Sequence, residues 1–91
     1  MNRELLEKLD DARHYANTPF VITSSYRKGD EGSHGDGDAV DIRCHESRPR
    51  FMIVSGLIHA GFTRIGIYDK HIHADVSSRL DQIVMWWGVS E

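Results

Sequence analysis

The chain has a single cysteine, Cys44, only two prolines, Pro19 and Pro49, and no block of lysine or arginine. A lone cysteine forms no internal disulfide, so a hydrophobic core must hold the fold, and synthesis in a reducing compartment is expected. A net charge of −3 without a basic cluster excludes nucleic acid or an anionic membrane as the main partner. No apolar run approaches the roughly 20 residues that span a bilayer. The opening MNRELLEKLDD is charged and helical in pattern, unlike a signal peptide, which implies synthesis in the cytoplasm. Repeats, linkers and low-complexity stretches are also missing. What remains is 91 residues, enough for one domain spanning 1–91 with one modest core.

The order of elements is readable. Asn2 can cap a helix through about Ala16, with Leu5, Leu6, Leu9, Ala12 and Tyr15 on one face. Phe20 to Ser24 reads as a strand and residues 27–38 as a loop rich in glycine and aspartate; Val40 to Arg43 is a second short strand. Ser47 is a plausible N-cap for a helix with Pro49 in its first turn, carrying Phe51, Val54, Leu57 and Ile58 to a stop at Gly61. Three strands then follow, Thr63 to Tyr68, His71 to Val76 and Ile83 to Trp87. Strands outnumber helices and the last connections are too short for crossovers. The expected class is therefore α+β, a small antiparallel sheet with helices packed on one face.

Six histidines in 91 residues stand out, and their placement carries the chemistry. The stretch SHGDGDAVDI, residues 33–42, ends in an apolar run that contains Asp41, and a carboxylate there is costly without a compensating cation. In His71-Ile72-His73-Ala74-Asp75-Val76 the odd positions are polar and the even ones apolar. Alternation along a strand puts Ile72, Ala74 and Val76 under the helices and His71, His73 and Asp75 on the open face. Asp41 joins that face if the two strands are neighbours. Asp69 and Lys70 suit a two-residue hairpin, with Asp69 at the rim of the same face. Two imidazoles and one carboxylate with an open fourth position form a catalytic zinc set, so His34, Asp41 and His73 are the candidate ligands of a Zn2+ ion. Asp75 and Ser33 are read as partners that orient these ligands.

A calcium loop built on Asp36, Asp38 and Asp41 competes with this reading. It lacks glycine at the sixth position and a bidentate glutamate at the twelfth, and histidine is a poor ligand for a hard cation. His14, His45 and His59 are read as surface residues and Cys44 as a small packed hydrophobe. Of Trp86 and Trp87, one is expected in the core and the other at the edge of the cleft.

The fragments SSYR, SHGDGDAVDI, RFMIVSGLIHAGFTRIGIY and HIHADV, in that order, resemble the M15 zinc peptidases, the D-alanyl-D-alanine carboxypeptidases and L-alanyl-D-glutamate endopeptidases of bacteria and their phages. Residues 20–87 carry the likeness, and the metal face also resembles the hedgehog signalling domain. The resemblance implies a hedgehog-like fold with the zinc site opposite the helices, and places His34, Asp41 and His73 on the family's ligands. It places Arg27 on the arginine that holds substrate or the developing oxyanion. Lys70 stands where many phage-type members have an acid, so Asp69 or His71 is left as the general base. The activity implied is hydrolysis of a peptide bond in the peptidoglycan stem peptide by a monomer that acts on the cell wall after release. The alternative is a non-catalytic zinc-binding interaction domain of the same fold.

Overall fold

A computed structural model describes residues 3–24, 39–78 and 80–88. His34, Arg27 and Ser33 lie outside the described residues, as does the 27–38 loop. Among the described residues the elements run in the order α1 (Arg3–Ala16), β1 (Ile22–Ser24), β2 (Ala39–Arg43), α2 (Ser47–His59), β3 (Arg64–Ile67), β4 (His71–Asp75) and β5 (Val84–Trp87). The protein is a small α+β domain, and its described residues form two helices and a five-stranded sheet in the order β1-β2-β4-β3-β5. None of its described helices is long and apolar enough to cross a membrane.

The helix ends follow from local chemistry. Asn17 ends α1 with φ 52°, a left-handed conformation that asparagine tolerates. Gly61, at φ 96°, follows the last turn of α2. The Gly61 amide bonds to the Ile58 carbonyl at 3.1 Å, and the Phe62 amide to the Leu57 carbonyl at 3.0 Å. This Schellman pair satisfies carbonyls that the helix leaves open, and it turns Phe62 back into the core. At the other end of α2 the N-cap is Glu46, without a side-chain cap bond; Ser47, expected as the cap, is instead the first helical residue.

The sheet departs from the expected all-antiparallel arrangement. β1–β2, β2–β4 and β3–β4 are antiparallel, but β5 runs parallel to β3. The physical reason is strand order. β4 and β5 point in opposite directions, and β3 lies between them, so the 76–83 connection passes the end of β3 and no helical crossover is required.

Leu5, Ile53 and Leu57 of the helices pack on Val40, Ile42, Ile65, Ile67, Ile72 and Ala74 of the sheet. These residues make the core, and Cys44 joins it as a buried free thiol. The expected apolar helix faces are narrower than their sequence spacing suggests. Leu6 and Tyr15 on α1, and Phe51 and Ile58 on α2, are exposed. The cause is the α1–α2 contact, which turns Ala12 and Ala16 inward against Gly56 and rotates the larger residues out.

Candidate metal and catalytic face

The side of the sheet away from the helices is organised by register into three rows. In the central row Asp41 pairs with His73, His73 with Gly66, and Gly66 with Trp86. In the row towards the hairpin Arg43 pairs with His71, and the Tyr68 amide bonds to the His71 carbonyl at 3.0 Å. In the third row Ala39 pairs with Asp75 and Asp75 with Arg64. Strands β2 and β4 are thus neighbours in the register that brings Asp41 and His73 to one surface.

The central and third rows together hold an unusual set of buried polar groups. Asp41 is 7% exposed, His73 9% and Asp75 0%. His73 Nδ1 lies 3.3 Å from Asp41 Oδ1, and His73 Nε2 lies 2.7 Å from Asp75 Oδ2. The imidazole therefore has one nitrogen on each of two carboxylates. Asp75 also accepts the Ser77 amide at 3.1 Å, and Arg64 Nε stands 2.9 Å from its Oδ1 as an ion pair. His71 stacks on Tyr68, with centroids 4.3 Å apart and planes 10° apart, and brings its Nε2 to 3.8 Å from Asp41 Oδ1.

Trp86 closes one side of this face. Its indole lies across Gly66, where a Cβ would stand 2.5 Å from Nε1, so only glycine admits the ring. The ring centroid is 5.3 Å from that of His73, Nε1 donates to Tyr68 Oη at 3.0 Å, and the Arg64 guanidinium lies 5.2 Å above the ring. Trp87 is 81% exposed on the other side, so neither tryptophan enters the core under the helices.

Burial opposes protonation of His73, but the hydrogen bonds to Asp41 and Asp75 and the charges of both carboxylates outweigh it, and its pKa is raised above 6.5. Burial likewise opposes ionisation of Asp75. The His73 hydrogen bond and charge, the Ser77 amide and Arg64 overcome it, and the pKa falls below 3.8. The stability of chelator-treated protein follows from these directions. The His73 contribution is fully present below the ordinary histidine value and is lost as pH rises through the raised folded one. The Asp75 contribution is present above the ordinary carboxylate value and is lost as pH falls through the depressed one. The difference in melting temperature between wild type and His73→Gln, measured in chelator, should therefore shrink from pH 6 to pH 9. A constant difference would contradict the His73 assignment.

The other site candidates are placed as follows. Asp69 occupies the two-residue turn between β3 and β4, exposed, with its carbonyl bonded by Arg50 at 3.1 Å. His14 and His59 are exposed, His59 stacked on Tyr15 at 3.9 Å, and His45 is exposed after β2. Among the described residues no group of three histidine, cysteine or acidic side chains is arranged to hold a metal ion. Asp41 and His73 meet, while the third candidate ligand, His34, is not among those residues. Sequence reasoning passed over Arg64 and Gly66, and of the two tryptophans it is Trp86 that edges the face. The signal was present in Arg64-Ile65-Gly66-Ile67-Tyr68, where period-two alternation puts Arg64, Gly66 and Tyr68 beside His73 on the open face.

Comparison with family models, curated proteins and solved structures finds no match for this chain.

Proposed function

We propose that this face is the zinc site of a metallopeptidase that hydrolyses a peptide bond in the peptidoglycan stem peptide. The observation that carries the reading is the Asp41–His73 pair, a carboxylate and an imidazole directly opposite on β2 and β4, buried and 3.3 Å apart. Their donor types fit zinc, which takes neutral imidazole nitrogen and carboxylate oxygen. His73 would bind through Nδ1, the nitrogen on the Asp41 side, since Nε2 is engaged by Asp75. His34 would complete the set from the 27–38 segment. When bound, zinc supplies a polarised carbonyl and a water acidic enough to deprotonate near neutral pH.

The chain's own residues take the remaining roles. His71 holds Nε2 3.8 Å from Asp41 and serves as the proton acceptor and donor; Asp69, at the hairpin turn, is the other candidate for that role. Arg27 binds the substrate carboxylate or the oxyanion. Trp86, Tyr68 and His71 give the face an aromatic wall against which a stem peptide can lie.

Zinc-loaded protein incubated with purified muropeptides, read by mass spectrometry, should release a fragment cut within the stem peptide. His71→Gln should keep the metal and lower the rate about 10²–10⁴-fold, the usual effect of removing a positioned base. The larger loss in Asp69→Asn instead would move the base to the turn. A fully loaded wild type that cleaves nothing, from whole wall to D-Ala-D-Ala, would leave the zinc-binding interaction domain as the reading.

A further inference from the structure

A peptide bond cut at this face must present its leaving nitrogen to the proton donor, and His71 stands in the row towards the hairpin. Arg43 is in the same row, directly opposite His71 across the β2–β4 pair. We propose that Arg43 determines which bond is cut, by holding a free carboxylate on the carbon that bears the leaving nitrogen. The inference rests on the peptidase reading and deepens it to a substrate class.

The register fixes the place of Arg43. Val40 and Ile42 are buried in the core under the helices, so alternation along β2 puts Arg43 on the open side with Asp41. The Arg43 amide bonds to the Val21 carbonyl at 2.8 Å, towards β1. The next amide, of Cys44, bonds to the Lys70 carbonyl at 3.0 Å, on the β4 side. Arg43 and His71 are therefore a non-hydrogen-bonded pair, the closer kind, with Cα atoms about 4.5 Å apart and side chains in reach of each other. His71 is itself held by its stack on Tyr68, with Nε2 3.8 Å from Asp41 Oδ1.

Arg43 is also uncommitted. It is exposed, and among the described residues no ion pair or side-chain hydrogen bond engages its guanidinium. Arg64, by contrast, is paired with Asp75, and Arg50 is bonded to the Asp69 carbonyl. A guanidinium presents a planar fork of donors that matches a carboxylate in shape and charge.

The stereochemistry of the leaving residue supplies the rest. Its nitrogen and its α-carboxyl group are bonded to the same carbon. Where His71 protonates that nitrogen, a free α-carboxylate falls beside the neighbouring Arg43. Two bonds of a stem peptide have such a leaving residue. One is the terminal D-Ala-D-Ala bond, whose leaving alanine carries the free C-terminus. The other is the L-Ala–D-Glu bond, where the glutamate continues the chain through its γ-carboxyl and keeps its α-carboxylate free. A bond inside an ordinary α-linked stretch has an amide there and offers the guanidinium no charge. With the carboxylate taken by Arg43, Arg27 is left with the oxyanion.

The test uses the full chain with zinc and two matched pairs of synthetic peptides, each pair differing only in carboxylate against carboxamide on the leaving residue. One pair ends in D-Ala-D-Ala, and the other carries L-Ala joined to γ-linked D-Glu. Wild type should favour the carboxylate about 10–100-fold in kcat/KM, the usual worth of a charge-assisted hydrogen bond, and the pair that is cut identifies the source. Arg43→Gln should lose this preference, and Arg43→Lys should keep part of it. A wild type without the preference overturns the proposal. So does a preference that survives Arg43→Gln, or one that disappears only in Arg27→Gln. Calorimetric titration with the same peptides gives a reading independent of turnover. A wild type that cuts no peptide but binds the carboxylate members more tightly, through Arg43, would sink the peptidase reading and leave the Arg43 assignment standing. Equal binding of acid and amide, or no binding of either, would remove the assignment as well.

Discussion

Replacing His73 by alanine is expected to abolish stoichiometric zinc uptake, and Asp41→Ala and His34→Ala are expected to do the same. The two described ligands sit on different strands, joined only by the β2–β4 register, so each loss leaves the other as an isolated donor. Asp69→Asn is the control and should retain the metal, since Asp69 belongs to the exposed turn. Metal analysis of protein purified without added zinc, followed by titration, reads the result. A second readout is thermal. Zinc at 100 times its dissociation constant stabilises a native protein by about 2.7 kcal/mol. In a domain of this size 1 kcal/mol moves the melting temperature by roughly 4–8 °C, so wild type should gain on the order of 10–20 °C and the alanine variants almost nothing. Full zinc occupancy in His73→Ala would remove the basis of the metal reading.

Gly56→Val is expected to be the most damaging single substitution away from the site. Gly56 faces α1, and a Cβ there would stand 2.4 Å from the Ala12 carbonyl oxygen and 3.0 Å from the Ala16 Cβ. The first of these is a backbone atom and cannot move aside by a change of rotamer, so the two helices must separate. Even Gly56→Ala, worth about 1 kcal/mol in helix propensity, should come out destabilising, because overpacking a close contact costs typically 1–3 kcal/mol. Valine adds two further methyl groups to the same gap. Thermal unfolding followed by circular dichroism should show a drop of roughly 10 °C or more for Gly56→Val, and a smaller one for Gly56→Ala. An unchanged melting temperature in Gly56→Val would show that the helices do not pack this closely.

The order and kind of the elements were legible because they rest on local chemistry. The period-two pattern of His71 to Asp75 assigned each side chain to its face without reference to any other strand, and the pairing of Asp41 with His73 on one surface agrees with it. Gly61 could be read as the stop of α2 because a left-handed residue is required there. The two-residue turn at Asp69 and Lys70 followed from the spacing alone.

What the tertiary structure decided is where long-range contacts overrule spacing. Phe51 and Tyr15 fall on apolar stripes yet are exposed, since the α1–α2 contact is made by Ala12, Ala16 and Gly56 and selects which part of each stripe is buried. The parallel pairing of β5 with β3 depends on which edge of the sheet is still open when the chain returns, and no local signal records that. The same holds for the face opposite the helices. Its histidines and aspartates are visible in AVDI and HIHADV, but their partner Arg64 arrives through the β3–β4 register. Its tryptophan arrives through the parallel β3–β5 register, and both are set by backbone hydrogen bonds between strands. A sequence names the donors of such a site; only pairing between distant strands brings a buried carboxylate to each nitrogen of one imidazole.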